Sequence, residues 1–486
     1  MPRKYNAYLT VYLSLVFGIV LSLLFVLIEG AATGAARAQS ELVADLGLDS
    51  VFAEYNREVL NQYELFFIDT SYGGVNGGIG MTESHLAEYM DYNMNPDKDL
   101  MLFGESTLLG LCCPYLEIEE ASYASDEDCM VWKTQAVQYM KAVYGGDIMD
   151  TVKEHIDTVQ ENGWMDRDVA GELLEQKKAF EQALSEKGIV EFGAESAEGF
   201  SYGHISGLFD KIVGGGLLAL VLPEGESVSG AVADSGVLFS ERKRNGLINR
   251  GVGVHEGAKK PDGILDELIY DRYLMKMCGC YGNPKQEGRL QYQIEYILCG
   301  SDSDAANLRR SVELLFALRA AANLTSLFAD SEKKSEVELV AEGICWLLAV
   351  PEFTDALAFI LSSVWALAES AADVHHLLCG GKVPLMKKGD EWRTGLTGIF
   401  GGSLYGEDKE TAGLTYENYL QIFLGVMNRD VKAARSLDIV EMDIRGTDGN
   451  AQFRIDRCID YLNVNFGFQD TGGHDFVFRK KMCYES

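Results

Sequence analysis

The chain has 486 residues, with 74 acidic and 42 basic side chains and a formal net charge of −32. A surface that acidic repels nucleic-acid phosphates and anionic headgroups, which speaks against DNA or RNA binding and against adsorption to a negatively charged bilayer. Hydrophobic residues make up 47% and prolines number only eight, so the composition is that of a folded chain without long Pro-rich linkers.

The first element is an apolar helix. Tyr5 to Ile28 carries no charged side chain; Arg3 and Lys4 precede it and Glu29 follows it. A bilayer core about 30 Å thick needs roughly 20 such residues, and only a helix or a closed barrel satisfies its own backbone there. Basic residues before the run and acidic ones after it place the N-terminus in the cytoplasm and the rest of the chain outside. The competing reading is a cleaved signal peptide, with Ala36-Arg37-Ala38 as the peptidase site before Gln39. The run is longer than the usual hydrophobic region of a signal peptide, which favours a retained anchor.

Past the small residues Gly30 to Gly34, Leu42, Val43, Leu46, Val51, Tyr55, Val59, Leu60 and Tyr63 recur at three- and four-residue steps. This predicts an amphipathic helix that continues from the membrane run with a bend at the glycines. Leu65 to Ser71 reads as a buried strand and Gly73 to Gly80 as a loop. Residues 81–125 are mixed, with a strand over Leu116 to Ala124. Helices are expected over Val131 to Tyr144 and Met165 to Lys187, turns over Gly188 to Gly207, and a short apolar run over Leu217 to Leu222.

The middle of the chain reads as helical over Asp262 to Cys278, Asp302 to Phe328, Glu336 to Val350 and Glu352 to Leu378. Pro351, Glu352 and Asp355 interrupt the last pair too early for a second crossing, so a buried hairpin is expected. Leu290 to Leu298 alternates and predicts a strand. Tyr416 to Ala434 predicts a helix. Leu437 to Arg445 and Ala451 to Cys458 both alternate around the turn Gly446 to Asn450, which predicts a hairpin, and Tyr461 to Phe468 and Phe476 to Met482 add strands. The fold class is α+β, with a helical middle between strand-bearing ends. The divisions expected are 1–30 for the cytoplasmic tip and membrane helix, 31–80 for the stalk, strand and loop, 81–260 for a mixed region, 261–435 for a mainly helical one, and 436–486 for a C-terminal β region.

Ten cysteines in an exported chain allow disulfides, and one or two bridges are expected; Cys345, in an apolar helical run, suits a buried thiol equally well. Cys278-Gly-Cys280 and Cys112-Cys113 lack the paired CxxC spacing of a structural zinc site. His375, His376 and Cys379 form the densest chemical cluster, with His376 and Cys379 able to face one ion from adjacent turns. No neighbour supplies the remaining ligands, so ordinary helix-end residues are the simpler reading. Asp302 with Asp304, and Asp443 with Asp448, miss the calcium-loop spacing; Asp302 and Ser303 fit helix capping. Gly214-Gly215-Gly216 lacks the Gly-Lys-Ser/Thr of a phosphate loop, and Gly203-His204-Ile205-Ser206-Gly207 places its serine one position late for a nucleophile elbow. No catalytic, cofactor-binding or metal residue is therefore singled out, and no cofactor is called for.

The stretches Leu9 to Ala31 and Asp45 to Gly73, with LALVLPEGESVSG (Leu218 to Gly230), QIEYILCGSDSDAANL (Gln293 to Leu308) and YENYLQIFL (Tyr416 to Leu424), resemble a bacterial family of single-pass exported proteins. The genes of that family tend to accompany tight-adherence (Flp-type) pilus systems, and the family carries no established activity or catalytic residues. The N-terminus is more loosely similar to tight-adherence minor pseudopilins, through Ile28-Glu29-Gly30 at the end of the apolar run. It departs from them in having no glycine before Gly18 and no acidic residue before Glu29, so prepilin-peptidase processing is not implied. The resemblance implies a non-enzymatic, membrane-anchored extracellular protein that assists assembly or anchoring of such a pilus, with the membrane and pilus-assembly proteins as partners. The alternatives are a surface adhesin or binding module unrelated to pili, and an exported cell-wall hydrolase.

Overall fold

A helix of 47 residues, α1 (Asn6–Phe52), opens the computed structural model of the chain. The structure describes residues 6–94, 110–144, 150–186, 216–234, 236–347, 349–396, 398 and 412–484. These divide into two compact units: residues 1–139, 242–260 and 447–486 form the first, and 140–241 with 261–446 the second.

In the first unit, α1 changes character along its length. From Tyr8 to Ile28 every side chain is exposed, and the run is a candidate membrane span. Two of its hydroxyls bond within the helix, which suits a bilayer: Ser14 and Ser22 donate to the carbonyls of Val11 and Ile19, at 2.9 and 2.8 Å. From Ala36 onward the helix is amphipathic. Ala36, Ser40, Val43, Ala44, Leu48, Val51 and Phe52 are buried at three- and four-residue steps. Burying each of the larger ones contributes about 1.5–3 kcal/mol. The helix passes through Gly30 and Gly34 unbroken and ends at Phe52, ahead of the expected Tyr63. Asn56 then caps a separate α2 (Arg57–Tyr63) by accepting from the amides of Glu58 and Val59.

The buried stripe of α1 packs into one core with α3 (Ile79–Met94) and an antiparallel sheet. The sheet comprises β1 (Ile68–Asp69), β2 (Cys112–Tyr123), β3 (Cys458–Gln469) and β4 (Asp475–Cys483). β3 is central, with β2 along one side and β1 and β4 along the other; Phe466 faces Leu116 and Phe478. Gly47 is where α1 meets α3: a Cβ there would lie 3.0 Å from both Leu86 and Met90. The helix α3 falls where the sequence reads only as mixed. β4 carries Arg479, Lys480 and Lys481, which suits a strand at the edge of a sheet, and Lys480 reaches back to Glu41 and Asp45 on α1, each at 3.0 Å. After β2 comes α4 (Asp126–Tyr144), whose Trp132 stacks on Phe67. Asp126 ties down the segment 242–260 by accepting from the amides of Gly251 (2.8 Å) and Gly253 (3.3 Å).

The second unit is helical. It contains α5 (Asp150–Glu161), α6 (Val169–Glu186), α7 (Ile264–Met277), α8 (Gln293–Cys299), α9 (Asp304–Ala329), α10 (Ser331–Leu347), α11 (Thr354–Leu378), α12 (Tyr416–Val426) and α13 (Arg429–Arg445). α9 and α11 are also long and apolar enough to cross a membrane, but most of each lies inside the unit. Ser303 caps α9, accepting from the Ala306 amide, in line with the capping expected there.

Five expectations are corrected. Leu290 to Leu298 is not a strand: Gln293 to Cys299 is α8, and Gln293 and Glu295, whose alternation suggested a solvent face, are fully buried and hydrogen-bonded. Leu437 to Arg445 is not half of a hairpin but the end of α13, because Asp438, Glu441 and Asp443 are buried too. Ala451 to Cys458 is turn and a short 3-10 helix (Ile455–Arg457), with β3 starting at Cys458. The helix expected over Tyr416 to Ala434 is likewise two, divided at Asn428, which caps α13 by accepting from the amides of Asp430 and Val431. None of the ten cysteines is joined in a disulfide, so the expected bridges are not formed.

Candidate functional site

Among the described residues of the second unit, two nests of buried charge are built in opposite ways, beside a further buried cluster of Lys432 with Glu267 and Asp271. In the first, α9 contributes Arg319 and Asn323, and α11 contributes Glu369 and Asp373. Arg319 and Asp373 are both 0% exposed. The Arg319 guanidinium donates to Asp373 at 2.9 Å, to the carbonyls of Pro384 and Leu385 at 2.9 and 2.8 Å, and to Asn323 at 2.8 Å. Lys387 approaches Asp373 at 2.5 Å and also contacts Glu369. Glu369 accepts from the amides of Arg393 and Thr394, each at 2.8 Å, and from the Thr394 hydroxyl at 2.6 Å. Burial raises the Asp373 pKa, but Lys387 and Arg319 outweigh it and hold the carboxyl below its ordinary range. The nest staples segment 384–394 to two helices and is closed to solvent. Its charges stand alone in apolar runs (ALRAAANL, ALAESAADV), a signal the sequence carries and pattern reading passed over.

The second nest has carboxylates and few cations. Glu295 on α8 accepts from the Tyr281 amide at 2.9 Å and the Tyr416 hydroxyl at 3.0 Å, while its other oxygen is buried without a partner. Burial pushes its pKa up to about 7. Asp438 on α13 accepts from the Ser240 amide (2.7 Å) and the Tyr296 hydroxyl (3.1 Å), and burial lifts it to about 6. Asp443 accepts from the Arg289 amide and Gln293, with the Lys285 ammonium 3.7 Å away; Asp304 accepts from the amides of Gln291 and Tyr292 and from Ser229. Asp304 and Asp443, weighed above as calcium ligands, are thus occupied in holding the loop between α7 and α8. Cys278 and Cys280 lie in that same loop as buried thiols, each pushed up to about 12 by burial, which leaves them unreactive.

The His375–His376–Cys379 cluster ends α11. The structure brings Cys379 against His375, one turn back on the helix. The Cys379 Sγ lies 3.6 Å from His375 Nε2, and His375 Nδ1 lies 3.0 Å from the Val221 carbonyl. No group of three or more His, Cys, Asp or Glu side chains placed to hold a metal ion occurs among the described residues. Asp302 is exposed next to the Ser303 cap, and Asp448 lies in a surface recess of the first unit with Glu54, Asn56 and Asn450. The strings at 203–207 and 214–215 lie outside the described residues. A cleft of about 470 Å³ in the second unit is lined by Val159, Met165, Leu314, Phe423 and Val426, with Asp166 as the one titratable group among its described lining.

These features define an α+β protein with a helical, charge-stapled unit and a sheet unit carried on a long apolar helix. The chain belongs to a family of unknown function (DUF5702), whose model matches residues 197–470, more than half of its length. The match takes in most of the second unit and β3, and leaves α1 outside. Neither a curated protein nor a solved structure matches the chain.

Proposed function

We propose that this chain is a non-enzymatic, membrane-anchored extracellular protein that assists assembly or anchoring of a tight-adherence-type pilus. The observation that carries the reading is α1. Its first part is apolar and exposed, and its last part is built into the core of a sheet unit. A pilin-like stalk makes this division of labour: one end of a continuous helix sits in lipid and the other supports a folded head. Arg3 and Lys4 ahead of the apolar run, against Glu29, Glu41, Asp45 and Asp49 after it, orient the N-terminus to the cytoplasm and the bulk of the chain outward. The resemblance of Leu9 to Ala31 and Asp45 to Gly73 to exported proteins of pilus gene clusters supplies the partner class. Deletion of the gene, followed by counting surface pili by electron microscopy, tests it. Loss of pili, restored by the full chain but not by one lacking residues 6–30, is expected. Normal pilus number and adhesion in the deletion strain overturn the reading.

A further inference from the structure

We propose that Cys379 is a reactive thiol, activated by His375, that exchanges with an accessible disulfide. The inference stands on the second unit alone and does not depend on the pilus reading.

The geometry sets the proton's position. The His375 Nδ1 lies 3.0 Å from the Val221 carbonyl, an acceptor without a proton of its own. That nitrogen therefore carries the hydrogen, and Nε2 presents its lone pair to the Cys379 thiol 3.6 Å away. An imidazole held by a third group and facing a thiol is the arrangement that generates a thiolate. Cys379 is exposed, whereas Cys278, Cys280, Cys345 and Cys458 are buried. Gly380 and Gly381 follow it, and Gly380 turns the chain at a φ of +86°. Tyr281 is also close to the thiol; burial, then Glu226, Tyr292 and Cys379, push it up to about 12, so it stays a neutral phenol.

The same geometry selects the electrophile. Acyl transfer needs N–H donors aimed at a developing oxyanion. The amides of Cys379 and of the two residues after it are already engaged by helix carbonyls: Cys379 N–H to His375 (3.0 Å), Gly380 N–H to Leu377 (3.0 Å) and Gly381 N–H to His376 (2.9 Å). Attack on a disulfide builds no oxyanion; negative charge passes to the departing sulfur. The step balances without an added oxidant. The Cys379 proton moves to His375 Nε2, and the thiolate attacks one sulfur of R–S–S–R′. The S–S bond breaks as the Cys379–S–S–R′ bond forms, and the departing R–S⁻ takes the proton back from the imidazolium. The product is a covalent link between this chain and its partner.

The test uses the full chain in detergent and 4,4′-dithiodipyridine, a small uncharged disulfide, with labelled peptides quantified by mass spectrometry from pH 5 to 9. Cys112, exposed on β2 with its sulfur against the Gln469 carbonyl, is the internal reference. At pH 6 Cys379 is expected to react at least about tenfold faster than Cys112. His375→Asn, whose amide NH₂ can keep the bond to Val221, is expected to bring Cys379 down to the Cys112 rate, while His376→Ala leaves it unchanged. The wild-type comparison needs no variant to fold. A Cys379 pH profile that superimposes on that of Cys112, or a rate unaffected by His375→Asn, overturns the proposal.

Discussion

The nests around Asp373 and around Glu295 and Asp438 solve the same electrostatic problem with opposite signs. Around Asp373, an arginine and a lysine lie against the carboxylate, and its pKa is held down despite complete burial. Around Glu295 and Asp438, amides and hydroxyls do the holding, and burial lifts the carboxyls to about 7 and about 6. Hydrogen bonds from neutral donors orient a buried carboxyl, but they do not replace the charge compensation that a cation supplies. The first nest is therefore expected to break when a partner is removed, and the second to improve when its charge is removed.

The largest effect should come from Arg319→Met. It leaves Asp373 with one cation fewer and orphans the Pro384 and Leu385 carbonyls, a loss of about 3–5 kcal/mol by denaturant unfolding. Glu295→Gln at pH 8 should be neutral or stabilising, because an amide keeps an acceptor for Tyr281 and Tyr416 and carries no charge. Equal losses from the two substitutions would erase the contrast between the nests.

The pH dependence sharpens the same point. Glu295 and Asp438 have folded pKa values above their unfolded ones. The stability they contribute is full below the ordinary carboxylate range and is lost as pH rises through about 6 and about 7. Asp373 runs the other way: its contribution is present above the ordinary range and is lost as pH falls through its depressed value. The melting temperature of Glu295→Gln/Asp438→Asn, relative to wild type, should accordingly rise between pH 5 and pH 8. A difference that stays flat would show that these carboxyls are not lifted.

Smaller effects grade the compensation. Thr394→Val removes one donor to Glu369 but leaves Lys387 and the two amides, and should cost about 1 kcal/mol, read by the same unfolding assay. Lys480→Ala breaks a surface pair with Glu41 and Asp45 and should cost less than about 1 kcal/mol, falling further as salt is added. A loss from Lys480→Ala as large as that from Arg319→Met would show that burial is not what sets the strength of these pairs.

Much of the fold can be read from the sequence where apolar spacing follows exposure. The apolar run from Tyr5, the long helices ending near Phe328 and Leu378, and the strands β3 and β4 were all expected. The failures share a cause. LQYQIEYIL and LDIVEMDIR alternate polar with apolar, and alternation implies a strand only if the polar residues face water. Here Gln293, Glu295, Asp438, Glu441 and Asp443 face the interior, each hydrogen-bonded or paired within the protein. The helix α3 escaped because the glycines before it read as loop to Gly80. At the candidate site, the His375–Cys379 spacing of four was visible, but choosing between adjacent histidines needed the Val221 carbonyl, which is distant in sequence.

The central claim is that the apolar start of α1 is a permanent tether and not a leader. The mass of the mature N-terminal peptide, taken from protein purified out of the membrane fraction, tests this directly. The account predicts a chain that retains the Tyr5 to Ile28 run; a mature chain beginning at Gln39 would contradict it.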